Sequence, residues 1–460
     1  MSAKTRWRER GSVWLLATLL AALLLQLPLI FNTGYLSFDE LQWWARADVP
    51  SVADLPWVAW TDLDTFQFRP LTFNLWLLLA HALAAHAFAM HAVFVLLGSL
   101  NACLLAYCLA LMNATRATAA VAALLFVCSP FVAYTHGWTG TLADLLVLMC
   151  GLVAFAALRT LPAAPSARRT TAVALVVAVA VLLALTAKES AVVLPLLLAF
   201  AAVAHAERRR VLGLTGLAGT IVALYLCVRV PLLLGAPAGA TGYSWHLGSV
   251  PARLAEYALF PWMPPLFEVG PVLGKGALRI ALAAICALAL LAALARASRL
   301  HALAAALLFV GLLAPVLILD QAFNQYAYLA SAAIVGVTAH AWRDCARVAR
   351  ALLLGLAAVA TLHGVQVMLR MREVGAIELR FHSGLAGLLA QDSESVAVAP
   401  ARPADAWLLS RFVDHVPRYR GVDFGDRVST GAMPGASLQV TMQPDGSLLV
   451  VPPPAGAGLR

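Results

Sequence analysis

Asp39 and Glu40 stand side by side just after the first long apolar run of a 460-residue chain in which only 12% of residues are Asp, Glu, Lys or Arg. Where charge is that scarce, its placement carries information. A carboxylate can take a proton from a substrate group. Arg69, in Phe68-Arg69-Pro70-Leu71, and Lys188, in Thr186-Ala187-Lys188-Glu189-Ser190, supply positive charge for an anion. Asp144 lies inside an apolar segment that opens near Trp138, and an acid at that depth is costly enough to be functional by default. His136 sits close to it in sequence, and Glu189, Asp320, Tyr326 and Tyr328 complete the set. Acids and bases converging on one face suit a polar cavity that binds an anionic substrate and deprotonates another.

Each residue also has a plainer reading. Asp39 and Glu40 could open a solvated loop, Arg69 could anchor at an interface among Trp57, Trp60 and Phe68, and Lys188-Glu189 could form a local ion pair at a tight turn. His81, His86 and His91 recur at a spacing of five, which does not hold one helical face, so interfacial histidines are the expectation there. Asp144 and His136 are the candidate ligands of a divalent cation, and one histidine does not decide whether such an ion is used.

The elements that must position these residues are membrane helices. The chain is 62% hydrophobic with a mean hydropathy of +0.84, beyond what a soluble domain tolerates as surface. Its apolar runs are of helix-spanning length and do not alternate like barrel strands. A net charge of +9 sits mostly in short loops, where it orients helices, so nucleic acid is not an expected partner. The seven cysteines show no CxxC pair and imply neither a disulfide framework nor a zinc site.

Lys4, Arg6, Arg8 and Arg10 place the N-terminus in the cytoplasm, and the run Val13 to Phe31, too long for a signal peptide, delivers Asp39 and Glu40 to the other side. Parity with Arg116 makes Leu71 to His86 a juxtamembrane helix within an external loop, 32–89. Alternation through Arg159, Arg168, Arg169, the Arg208-Arg209-Arg210 cluster, Arg296, Arg299 and Arg343 then gives about eleven spans ending near residue 370. A second external loop, 235–276, is rich in Gly, Pro and aromatics and reads as an irregular cap. Residues 371–460 are expected to form a small extracytoplasmic α/β or β-containing region, with Pro444-Asp445-Gly446 turning between two alternating segments.

Five stretches taken in order, Phe38-Asp39-Glu40, Phe68-Arg69-Pro70-Leu71-Thr72, Gly140 to Leu146, Thr186 to Ser190 and Asn324 to Ser331, resemble lipid-linked-sugar glycosyltransferases of the GT-C fold. The similarity is to the branch of protein O-mannosyltransferases and of transferases that place aminoarabinose on lipid A. It covers roughly Val13 to Trp342, and two motifs depart from it: Thr141-Leu142 replaces an arginine, and the tyrosine motif lacks its Arg and Pro. The resemblance implies an inverting transfer outside the cytoplasm, in a bacterial inner membrane, from a polyprenyl-phosphate sugar to a hydroxyl of a protein or glycolipid. Asp39 would be the base with Glu40 in support. Arg69 and Lys188 would hold the donor phosphate, Asp144 would orient the acceptor or ligate a metal, and Tyr326 and Tyr328 would line the pocket. A lipid-linked-sugar flippase and a polysaccharide polymerase or ligase are the alternatives.

Overall fold

The computed structural model describes residues 3–47, 52–60, 67–203, 205–235, 244–391, 395–431 and 436–451. Pro237, Gly242 and Tyr243 of the expected cap lie outside them. The chain enters as α1 (Ala3–Leu25) and, after a break at Gln26, a single turn α2 (Leu27–Ile30) with Pro28 near its start. Two helices of the first loop follow, α3 (Phe38–Ala47) and α4 (Pro70–Leu83). Then come α5 (Ala87–Leu111), α6 (Arg116–Val127), α7 (Pro130–Gly137), α8 (Leu142–Arg159) and α9 (Ala167–Ala187). Thr115 and Ser166 cap α6 and α9 by accepting from backbone N–H groups of the first turn. Pro130, which cannot continue α6, opens α7 after a 64° bend.

Residues 189–202 combine two short 3₁₀ turns with α10 (Leu194–Ala199). The remainder is α11 (Arg208–Gly235), α12 (Val250–Leu259), α13 (Ala277–Ala297), α14 (Arg299–Leu317), α15 (Tyr328–Ala341) and α16 (Arg347–Ala390). The loop expected to be irregular thus carries a helix, α12, between Pro251 at its start and Pro261 beyond its end. Among the described residues, seven helices are long and apolar enough to cross a membrane, or eight if α6 and α7 make one bent span. The other three expected spans fall on shorter segments: the apolar part of α1 (Val13–Leu25), Glu189–Ala202, and α15 with its 14 residues. Leucines such as Leu224 and Leu278 remain exposed, the surface an acyl chain would cover.

The helix ends sort into two groups. Arg159 donates to the carbonyls of Leu111, Ala201 and Val203 at 2.9–3.1 Å, and Arg343 reaches Asn113. At the opposite ends of the same helices, Thr72 donates to the Ala187 carbonyl and Trp76 to that of Thr139.

α16 runs 44 residues without a break, about 66 Å at 1.5 Å per residue, roughly twice a hydrocarbon core. The boundary expected near residue 370 therefore falls inside a helix, because Glu373, Glu378 and Arg380 end the apolar run without ending helix propensity. Gly364 and Gly375 let α16 press against Cys128 and Asn32, where a Cβ would collide.

The C-terminal unit has one four-stranded sheet, ordered β4-β1-β5-β6, from β1 (Val396–Pro400), β4 (Val428–Thr430), β5 (Leu438–Met442) and β6 (Leu448–Val450), with a two-stranded ribbon of β2 (Arg418–Tyr419) and β3 (Val422–Asp423) beside it. β1 runs parallel to β4 and β5, while β5 and β6 form the hairpin expected across Pro444-Asp445-Gly446. α17 (Ala406–Val413) covers the sheet. The unit is locked to α16 by His382, fully buried against Tyr419 and Phe424. One His382 ring nitrogen lies 2.7 Å from Glu378 Oε1 and the other 2.8 Å from the Phe412 carbonyl; Glu378 Oε2 accepts from Tyr35 N at 2.9 Å. Removing one member of so buried a pair strands the other, at a cost of about 3 kcal/mol or more. His382→Ala should lower the thermal midpoint of the detergent-solubilised protein by several degrees, whereas Arg380→Ala, which breaks an exposed pair with Asp445, should leave it within error.

Candidate functional site

Ser37-Phe38-Asp39-Glu40 has the pattern of a capping box, in which the third residue after the cap reaches back to the cap's own N–H. Glu40 does so. Its Oε2 accepts from Leu36 N at 2.6 Å and Ser37 N at 2.9 Å, and its Oε1 accepts from Thr139 N at 2.9 Å and Thr139 Oγ1 at 2.6 Å. Only 1% exposed, the side chain is wholly committed to joining α3 to the turn before α8. Burial pushes its pKa up to about 7 against those four donors. Asp39, on the next face, has no hydrogen bond or ion pair among the described residues. Its carboxyl is only partly exposed, and burial raises its pKa while the charges of Arg411 and His415 pull it down. The two acids therefore differ in kind: one is tied down by four donors, the other is unbonded.

Arg69, Asp144, Lys188 and Glu189 do come together, in a crossed arrangement. Lys188 Nζ donates to both oxygens of Asp144 at 2.7 Å, and Arg69 Nε donates to Glu189 Oε2 at 2.7 Å. The ion pair within Lys188-Glu189 is not made: the extended backbone at Lys188 sends neighbouring side chains to different partners. Asp144 lies in the first turn of α8, shallower than the sequence implied, since that helix starts at Leu142. Tyr326 lies beneath Lys188, with the ammonium 4.8 Å from its ring centroid. A fifth charge joins them: Arg229 of α11 is 3% exposed, stacks over Phe68 at 5.6 Å, and with Tyr225 lies within electrostatic reach of the Arg69 and Glu189 pair. With it the five charges carry one net positive charge.

His136 and Tyr328 go elsewhere. His136 is fully buried, with Nδ1 2.5 Å from Gln26 Oε1 and Nε2 2.8 Å from the Tyr328 hydroxyl, which also accepts from Asn101. Both ring nitrogens are used, and its edge fills the space Gly98 leaves. The break at Gly137–Thr141 separates it from Asp144 despite their closeness in sequence. Among the described residues no three His, Cys, Asp or Glu side chains gather as a metal site would require, and of the two candidate ligands only Asp144 stands in the charged cluster.

Two cavities lie elsewhere among the described residues, and neither is lined by Asp39, Arg69, Asp144, Lys188, Glu189 or Arg229. The polar one, about 400 Å³, is lined by Tyr134, Arg253, Glu268, Asp320, Asn324 and Arg411, among others. Asp320 accepts there from Ser244 and Ser249, and Asn324 holds Val269 N at 2.8 Å and the Phe267 carbonyl at 3.0 Å, fixing the cap. The larger, about 610 Å³, is apolar apart from a few hydroxyls and indoles and lies among α6, α13, α14, α15 and α16, from Ala117 and Trp342 at the arginine-rich end to Tyr257 and Trp262 under the cap. The cavities share walls: on α12, Arg253 faces the polar one and Leu254 and Tyr257 the apolar one; on α7, Tyr134 and Phe131 divide likewise.

Sequence reasoning missed Arg229, Arg253, Glu268 and Arg411. Arg229 was open to it, as an arginine inside an apolar run. Arg411 was not, because nothing local marks which face of a short amphipathic helix meets a membrane domain. No family model, no curated protein and no solved structure matches the chain.

Two outcomes separate structural from functional charge. Glu40→Gln turns an acceptor of four bonds into a group whose NH₂ faces donors, at a cost of roughly 1–3 kcal/mol, while Asp39→Asn should leave the thermal midpoint nearly unchanged. The raised pKa of Glu40 means its ionisation opposes folding: its contribution is fullest below about pH 4.5 and declines as pH rises through about 7, a slope that Glu40→Gln should flatten. For the inner pair, Asp144→Asn and Lys188→Met should each destabilise by about 3–5 kcal/mol, with much of that recovered in the double variant, as a double-mutant cycle would measure.

Proposed function

We propose that the chain is an extracytoplasmic membrane glycosyltransferase that moves a sugar from a polyprenyl-phosphate donor to a hydroxyl of a protein or glycolipid, with inversion at the anomeric carbon. The observation that carries this reading is the pair of adjoining cavities. An apolar slot at membrane depth and a polar chamber under the cap, divided by single turns of α7 and α12, match an amphiphile with a long hydrocarbon tail and a hydroxylated head. Asp39 is the base: it is half-buried and free of hydrogen bonds and ion pairs among the described residues, burial raises its pKa, and Arg411, which lines the polar cavity, lies within its electrostatic reach. It takes the acceptor's hydroxyl proton as that oxygen bonds to the anomeric carbon. The bond from that carbon to the phosphate oxygen breaks with its electron pair, and the phosphate leaves on the lipid. Arg69, Lys188 and Arg229 offset the charge gained by the leaving phosphate, with Glu189 and Asp144 holding Arg69 and Lys188 in place until an anion competes for them.

The same reading sets the topology. The arginine-rich ends, Arg116, Arg159, Arg208 to Arg210, Arg296, Arg299 and Arg343, face the cytoplasm, and the cap and C-terminal unit face out from a bacterial inner membrane. Eleven passes are then required, including α1, α15 and residues 189–202. The last is short as an α-helix, yet eight of its fourteen residues are 3₁₀, whose steeper rise lengthens it to roughly 25 Å. Bonds from Arg159 at one of its ends and from Arg69 at the other support that crossing.

In membranes supplied with a polyprenyl-phosphate sugar and separate protein and glycolipid acceptors, Asp39→Asn should reduce transfer by about 10²–10⁴-fold while the protein remains folded. Transfer near the wild-type rate would remove Asp39 from this role, and movement of labelled lipid across the bilayer with no glycosylated product would replace the reading with a flippase.

A further inference from the structure

The apolar slot has a floor, walls and an entrance. Ser331, Ile334, Val335, Thr338, Ala339 and Trp342 share one face of α15 and its end, and they line the slot over about 17 Å at 1.5 Å per residue. At the arginine-rich end a small packed cluster closes it. Ala293, Cys345, Ala349 and Leu353 form that cluster with Leu290 and Trp342 against them, and Leu290, Leu353 and Trp342 also line the slot. Trp342 is clamped there by Arg350, whose guanidinium carbon lies 5.5 Å from the ring centroid and whose Nε donates to the Trp342 carbonyl at 3.1 Å. At the cap end stand Tyr257 and Trp262, the Tyr257 hydroxyl being bonded to the Phe323 backbone. The entrance is lateral. Gly364 of α16 presses on Cys128 at the end of α6, but nearer the arginine-rich end α6 packs on α1, α5 and α15 while α16 packs on α13. Between them Val121 and Leu354, both in the lining, are 52% and 54% exposed.

We propose that Trp342 is a specificity-determining residue: as the floor of this slot it limits the stretch of donor tail packed beneath the cap to the first three or four prenyl units, after which the chain turns out between α6 and α16 into the bilayer. The inference rests on the reading of the donor as a polyprenyl phosphate. A prenyl unit puts four bonds of about 1.5 Å along the chain, so roughly three or four units span the lined length. The walls ask for hydrocarbon. Thr118, Ser331 and Thr338 spend their hydroxyls on Thr115 and on the carbonyls of Ala327 and Ile334, which leaves Ser129 as the lining hydroxyl without a partner among the described residues. Ala122, Ala287, Ala305, Ala306, Ala357 and Ala360 leave recesses between larger side chains, which a chain branched at every unit fills better than a straight acyl chain. In a bilayer the tail gains no hydrophobic free energy on entering, because lipid is as apolar as the slot. Discrimination therefore comes from fit: a tail that stops short leaves a void above Trp342 whose lining loses its dispersion contacts, and units beyond the floor add nothing.

The test reads the register of the tail. Full-length protein in nanodiscs of phosphatidylethanolamine and phosphatidylglycerol is irradiated with polyprenyl phosphates that carry a diazirine on the first, fourth or eighth prenyl unit, and the labelled peptides are identified by mass spectrometry. The first-unit probe should label the peptide of Tyr257 and Trp262, the fourth-unit probe that of Trp342, and the eighth-unit probe neither. Two-unit probes should be held roughly tenfold more weakly than four-unit probes, because the void at the floor forfeits contacts. Trp342→Ala, which opens the way to Cys345 and Ala349, should move the floor label to a later unit. Ala306→Trp, which fills the slot above the floor, should abolish fourth-unit labelling of the Trp342 peptide and keep the first-unit label, and it serves as the readout if Trp342→Ala does not fold. The same peptides labelled from every position, or labelling displaced as well by phosphatidylglycerol as by unlabelled polyprenyl phosphate, would overturn the proposal. Transfer by protein whose slot takes no label would overturn it too and leave the glycosyltransferase reading standing. The expected register in protein showing no transfer would sink that reading and leave the tail site in place.

Discussion

The Glu40 carboxylate gathers four hydrogen-bond donors, two from the chain just ahead of α3 and two from Thr139, 99 residues further on. A carboxylate is an acceptor with room for all four, and no neutral side chain of that size offers the same capacity. Thr139 in turn gives its carbonyl to Trp76, whose ring packs on Trp43, so α3, α4 and the head of α8 are fixed to one another through a single residue. Everything at this end of the bundle is registered from this knot. The orientation of Asp39 follows from being the next residue on a helix that cannot rotate, and Asp144 follows from the turn that Thr139 anchors.

The charges beside that knot satisfy a different constraint. Four of them form two crossed pairs, so each helix end that enters this region brings an ion whose partner belongs to another element. In an environment short of water such pairing is what makes the charges tolerable, and it also makes the local packing specific to one set of neighbours. Arg229 adds one positive charge, which biases the site toward anions without leaving a bare ion. Polarity then falls off within a turn of α12, from Arg253 to Leu254 and Tyr257, and the chamber gives way to a slot lined by hydrocarbon.

Much of this was legible in the sequence, and what was not has a physical cause. Apolar run lengths and the arginine pattern predicted the helices, and shared sidedness predicted that Arg69, Asp144, Lys188 and Glu189 would meet. The pairing among them was not readable, because the extended backbone at Lys188 is a property of a turn bounded by packing. His136 is close to Asp144 in sequence, but the helix is interrupted between them and Gly98 opens a place for the imidazole in the core instead. The hairpin of β5 and β6 was announced by Pro444-Asp445-Gly446. The parallel pairing of β1 with β4 and β5 depends on contacts over more than thirty residues and has no local signature. The apolar stretch of α16 ends before its helix does, so hydropathy alone marks the end too early.

That unbroken helix has a mechanical consequence. Leu353 and Ala357 of α16 line the apolar slot, and Glu378 and His382 of the same helix hold the C-terminal unit, roughly 38 Å farther along the unbroken helix. Over that length a difference of about five degrees in the angle of the helix amounts to roughly 3 Å at its far end. Gly364 and Gly375 seat the helix against Cys128 and Asn32 between those two points, so one closely packed element fixes both a wall of the slot and the footing of the C-terminal unit.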